Sequence, residues 1–307
     1  AGGPPCLAPM SATARRLVPD PLGGVQDVMD THPSLTGSAC RFFLVDAFTD
    51  RPFTGNPAAV CLMPAAADPS WMQALARETN VSETAYLHPE EGGWRLRWFT
   101  PKTEVELCGH PTLATAHVLW EEEIIPKGSP VVFRSLSGEL VVTRSADWVE
   151  LDLPALPTKE APIPNELLPA LGLTSVRACG RAGDDYVLEV KSPAEIRSLR
   201  PDFEAILRLP LRSVIPTAEN HDGSHDFVSR FFAPIAGRSE DHVTGFAHCL
   251  LGPYWQERLH RDHFVAYQAS ERGGTLHVTV RGDRVILGGR AVTIFRGELA
   301  IPFRPAG

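Results

Sequence analysis

No stretch of the 307 residues approaches the roughly 20 consecutive apolar positions that a membrane-spanning helix needs. The first forty residues also hold no apolar core of a secretory signal. Basic excess is missing: 29 Lys and Arg against 37 Asp and Glu leave a formal net charge of -8. No basic stripe stands out along the chain, which speaks against nucleic acid or an anionic membrane surface as a partner. The six cysteines (Cys6, Cys40, Cys61, Cys108, Cys179 and Cys249) form no Cys-x-x-Cys pair. That spacing suggests neither a zinc finger nor a disulfide framework, and it fits reduced thiols in the cytoplasm. Asn80-Val81-Ser82 matches a glycosylation sequon without any secretory signal to accompany it. Acidic residues are absent from Ala1 to Pro19, within a segment rich in Pro, Gly, Ala and Ser. Residues 1–40 are therefore expected to be a flexible N-terminal tail, with a transit segment or a tag remnant as the alternatives.

What is present is an alternation of strand and helix signals from Arg41 onward. "RFFLVDAF" (41–48) and "NPAAVCLM" (56–63) read as buried strands, the second following a Gly-Asn-Pro turn. Asp68 precedes Pro69 as the cap of a helix. "ETAYLH" (83–88) and "WRLRWFT" (94–100) read as strands, and "GHPTLATAHVLW" (109–120) has helical apolar spacing. In "WVELDL" (148–153), Val149, Leu151 and Leu153 alternate with Glu150 and Asp152, the pattern of a half-buried strand.

The second half of the chain repeats this grammar. "SRFFAP" (229–234) echoes "LRWFTP" (96–101), and "TGFAHCLLGPYW" (244–255) echoes "CGHPTLATAHVLW" (108–120). Gly138, Leu140, Val142, Thr143, Asp147, Val149 and Leu151 match Gly274, Leu276, Val278, Thr279, Asp283, Val285 and Leu287 at a constant offset of 136. The same offset relates Gly109 to Gly245, whereas Pro101 and Pro234 differ by 133, so a second-half loop carries three extra residues. An internal duplication is expected: two α/β halves, 41–157 and 158–307, divided near the proline-rich run 153–169. A cleft between such halves is a usual place for a ligand.

Each half leads a strand through a loop into a helix that begins at glycine. Helix starts leave backbone N–H groups free to attract anions, and glycine lets a ligand approach them closely. Two such starts facing one cleft would hold a small carboxylate. Asp241 precedes the second start in "SEDHVTGFAHCLL", His110 follows Gly109 directly, and Glu83 heads a strand in "NVSETAYL". The residues alone leave the roles open. Asp241 could be a helix cap, His110 a satisfied core histidine, and Glu83 ordinary loop polarity.

Together, "VDAFTDRPFTGNPAAV" (45–60), "NVSETAYL" (80–87), "FTP…ELCGHPTLATAHVL" (99–119) and "SRFFAP…EDHVTGFAH" (229–248) resemble the phenazine-biosynthesis PhzF family. The resemblance runs from about Arg41 to Leu299. It implies the diaminopimelate-epimerase fold, an α+β arrangement of two pseudo-symmetric halves, each a mixed, mostly antiparallel sheet wrapped around a central helix. It implies an isomerase without cofactor or metal, usually a homodimer, which shifts a proton on a small unsaturated carboxylate. Glu83 falls on the family's general acid/base and His110 on its helper histidine. Asp241 falls on its site aspartate. Asn56, Ser82, Gly109, Thr244, Gly245 and Phe246 are the expected substrate contacts.

The second-half motif departs from the family's E-D-P-x-T-G-S-A, with His242 for proline and Phe246 for serine. Phenylalanine donates no hydrogen bond and fills more volume. Either the substrate differs from that of phenazine pathways or catalysis is lost. Two rivals remain beside the resemblance. A two-thiol amino-acid epimerase needs a second cysteine where Thr244 stands opposite Cys108. A non-catalytic binding or scaffold protein would need only the fold. A metal set drawn from Cys108, His110, His221, His225, His248 and Cys249 matches no zinc spacing.

Overall fold

The computed structural model describes residues 39–307; the expected N-terminal tail lies outside the described residues but for its last two positions. The expected strands and helices form with small shifts at their ends. The first strand stops at Ala47 because Phe48 turns the chain with φ 62°. The helix Pro69–Thr79 is capped by Asp68, whose carboxylate accepts from the amides of Ser70 and Trp71.

Strand pairing displays the duplication directly. One row runs Ala291–Glu298, Arg41–Ala47, Asn56–Leu62, Glu83–Glu90, Gly93–Phe99, Val131–Ser135, Gly138–Ser145 and Trp148–Pro154. The other runs Lys159–Glu160, Ala178–Ala182, Asp185–Glu189, Ser213–Glu219, Phe227–Ser229, His263–Gln268, Gly274–Arg281 and Arg284–Gly289. The sequence of parallel and antiparallel neighbours is identical in both rows. Each row is closed by a strand that follows, in sequence, the last strand of the other. Lys159–Glu160 comes after Trp148–Pro154, and Ala291–Glu298 comes after Arg284–Gly289.

The rows meet where Trp148–Pro154 pairs antiparallel with Arg284–Gly289. Leu151 lies directly opposite Leu287, its own duplication partner, so the pseudo-twofold axis passes through that pair. Each half holds one main helix, Gly109–Glu121 or Gly245–Leu259. Both are buried on nearly every side, as a helix enclosed by a sheet must be. The second helix runs through Pro253, which removes the amide that Cys249 O would have received. The amide of Leu156 takes that place at 2.9 Å, tying the inter-half segment to the helix. The two helix starts touch near the axis: a Cβ added at Gly109 or at Gly245 would lie 3.9 Å from the other glycine's Cα.

Candidate active site

Glu83 opens its strand beside Ala58, and its side chain is 17% exposed. His110, in the first turn of the first helix, is 4% exposed. Its Nε2 lies 3.2 Å from Glu83 Oε2. The angle does not complete a hydrogen bond, and neither atom has another partner among the described residues. Burial first, then the charge of Asp241, pushes the Glu83 carboxyl up to about 8, against opposing pulls from Arg238 and a Cys108 hydrogen bond. Burial, with Arg238 and His242 adding like charge, holds His110 down to about 3. Near neutrality this is a contact between two mainly neutral groups, not an ion pair.

Asp241 arrives from the second half and is also raised by burial, against several hydrogen bonds that favour its charged form. Oδ1 accepts from Asn56 Nδ2 at 2.8 Å and from the His242 amide at 3.0 Å; Oδ2 accepts from Thr244 Oγ1 at 2.6 Å. None of these is a helix amide beyond the cap, so the capping role is overturned. At this site Asn56 bridges the halves. Its two amide hydrogens serve Asp241 and Val243 O, the latter at 2.9 Å, so its 3.4 Å approach to His110 Nδ1 is packing. Ser82 Oγ donates to Asn56 Oδ1 at 3.1 Å. Gln268, fully buried and without any sequence signal, donates to Asp241 O at 2.8 Å and accepts the Thr244 amide at 2.9 Å.

Both helix starts are open. Cys108 and Thr244, their N-caps, make no side-chain capping bond. A Cβ at Gly109 would stand 3.8 Å from Leu151, and one at Gly245 3.4 Å from Leu287, which are ordinary contacts. Packing within the protein therefore does not require glycine at either position.

Phe246 is partly buried and lies under the Arg212 guanidinium, 4.3 Å from ring centroid to Cζ. Arg212 is paired with Asp185, which also accepts from Ser213 Oγ at 2.6 Å. The remaining metal candidates do not join the site. His248 Nδ1 lies 2.9 Å from Thr244 O, the Cys249 thiol faces Gly245 O, His221 is beside Glu219, and His225 contacts Ser224. Cys108 does belong to it, with its sulfur 3.7 Å from His110 Nδ1. The three extra residues of the second half fall between Pro234 and Glu240, in the same loop as Arg238, which no motif picked out.

Two enclosed helices about a pseudo-dyad, with an acid–histidine–aspartate cluster assembled across it, define an epimerase-like isomerase fold. The chain matches the family profile PhzC-PhzF, described as phenazine biosynthesis-like protein, over residues 45–297, and it belongs to that family. An uncharacterized isomerase of Halalkalibacterium halodurans is 48% identical over 260 residues, 84% of this chain and 98% of that one. The human phenazine biosynthesis-like domain-containing protein is 38% identical over 282 residues, 84% and 98% of the two chains. A crystal structure of a PhzF-family protein of Enterococcus faecalis superposes with a TM-score of 0.82 at 40% identity, covering 86% of this chain and 100% of that chain. A hydroxyproline epimerase from Agrobacterium vitis shares the fold, with a TM-score of 0.59 at 15% identity over 87% of this chain and 92% of its own. The chain is an isomerase of this fold. Among the described residues no helix is long and apolar enough to cross a membrane.

Proposed function

We propose that the chain is a cofactor-independent isomerase that moves a proton between carbon atoms of a small, unsaturated, carboxylate-bearing molecule. The observation that carries this reading is Glu83: a buried carboxyl raised to about 8, in contact with a neutral histidine and within the field of a second carboxylate. A group so tuned exchanges protons with carbon acids near neutral pH, which an ordinary carboxylate does poorly.

In this reading the substrate carboxylate faces the two helix starts, whose N-cap side chains make no capping bond and whose dipoles favour an anion. The glycines there, which packing does not demand, leave room for its approach. Glu83 takes a proton from one carbon and returns it to another. His110, held neutral, orients the carboxyl and the substrate without introducing charge. Asp241, fixed by Asn56 and Thr244, keeps Glu83 basic by like-charge repulsion and holds the substrate's polar edge. Ser82 acts through Asn56. The two-thiol alternative finds a hydroxyl at the second position, engaged with Asp241. A cytoplasmic homodimer completes the proposal, and light scattering reads its mass.

Solvent deuterium incorporation into a panel of small unsaturated and cyclic acids tests the chemistry. The wild-type chain exchanges at least one of them, and Glu83→Gln loses the exchange by about 10²–10⁴-fold. Equal exchange by the two proteins would refute the assignment.

A further inference from the structure

Glu83, Cys108 and His110 each present one ligand atom, and the three atoms lie within 4.8 Å of one another. A carboxylate oxygen, a thiolate and an imidazole nitrogen form the mixed donor set that zinc favours, at about 2.0–2.3 Å from the metal. Tetrahedral angles then put donors about 3.3–3.7 Å apart. Two contacts are close to that length, 3.2 Å from Glu83 Oε2 to His110 Nε2 and 3.7 Å from Cys108 Sγ to His110 Nδ1. They involve different ring nitrogens, so a shared centre uses one of the two, with the remaining donor moved to that edge of the ring; one ligand atom from each residue already falls within 4.8 Å of the others. His110 Nε2 and Glu83 Oε2 are buried without a hydrogen-bonding partner among the described residues, and buried polar atoms left unpaired favour a ligand that satisfies them.

We propose that Glu83, Cys108 and His110 form a three-ligand site for a soft divalent cation, zinc in particular, with the fourth position left to water or a substrate atom. On binding, the thiol and the carboxyl release their protons to solvent. The resulting group of one dication and two anions carries no net charge, which lowers the cost of keeping it buried. Asp241 adds attraction, while Arg238 and His242 are the nearby basic groups and Arg238 opposes it. A cation there occupies the lone pair that a base requires, so it inhibits. That last step rests on the proposed function, whereas the binding does not.

Titration calorimetry with zinc chloride and visible spectroscopy with cobalt chloride test the site on the metal-free protein. One zinc per chain is expected, and cobalt should give a thiolate charge-transfer band. Cys108→Ser abolishes the band and weakens zinc by at least about tenfold, the scale of losses at zinc sites. Glu83→Gln weakens zinc comparably while keeping the cobalt–thiolate band. A stoichiometric site unchanged by Cys108→Ser, such as one made by surface histidines, would overturn the proposal, as would absence of binding. Both readouts are independent of turnover. Loss of metal binding thus leaves the proton-shift reading intact, and absence of deuterium exchange leaves this one intact.

Discussion

The two halves agree in their supports and differ in their chemistry. Arg97 forks onto Glu104 at 2.7 and 2.9 Å, and Arg230 forks onto Glu240 at 2.7 Å for both bonds. Each arginine also lies over the phenylalanine two positions on, Phe99 or Phe232. Pairing of Thr84 with Phe99 and of Val214 with Phe232 makes Ser213 the counterpart of Glu83. By the offset of 136, Thr244 corresponds to Cys108 and Phe246 to His110. The second half thus replaces acid, thiol and imidazole with hydroxyl, hydroxyl and phenyl, and it closes that position with the Arg212–Asp185 pair. Among the described residues, one such grouping of acid, thiol and imidazole remains. It is composite, because Asp241, which the first half matches with Val105, reaches across to it.

The largest effect should come from the acid whose counterpart is Ser213: Glu83→Gln, read by deuterium exchange as above. A second expectation concerns pH. With Glu83 as base, kcat/KM for exchange rises with pH and levels off above about 8. Asp241→Asn removes the like charge and moves that midpoint lower. An unchanged midpoint would show that Asp241 does not tune Glu83.

Stability gives a third separation. The folded chain holds the Glu83 proton up to about 8, whereas an unfolded chain releases it near 4.5. Between those values the native state binds more protons, so this group lowers stability as pH rises. Urea unfolding should therefore find Glu83→Gln level with wild type at pH 4 and more stable at pH 9. A difference that does not grow with pH would contradict the burial of this carboxyl.

The paired clamps should differ in degree. Arg230 is 11% exposed against 23% for Arg97, and it also donates to Ile196 O and Leu199 O. Arg230→Met is expected to cost about 2–4 kcal/mol and Arg97→Met about 1 kcal/mol by chemical denaturation. Equal losses would mean that the extra carbonyl contacts carry no weight. The smallest effect is expected at Phe246→Leu, where loss of the arginine–ring contact costs about 0.5–1 kcal/mol. The same substitution should alter the range of acids exchanged if the ring borders the substrate.

Much of this was legible because short-range rules suffice for it. Strand alternation in 148–153, the Asp68 cap and the buried helix after Gly109 follow from local spacing and hydrogen-bonding needs. The constant offset of 136 exposed the duplication without any contact being known. The motifs "NVSETAYL", "CGHP" and "EDHVTG" marked Glu83, His110 and Asp241. They could not choose between a cap and a site for Asp241, since both roles place an acid just before a helix. Gln268 was invisible, as an isolated buried glutamine has no pattern. Arg238 lies in a loop whose length differs between the halves, and no motif includes it.

By itself the sequence determined two copies of one α/β pattern, their central helices, and the difference between His110 and Phe246, because periodicity and repetition are properties of the chain's order. Only the tertiary structure decided that Asn56 spends both amide hydrogens across the halves and that the helix starts meet uncapped. It also decided that Glu83 is kept from water beside His110 and Asp241. Desolvation and like-charge repulsion act through space, between residues more than a hundred positions apart, and no local pattern records them.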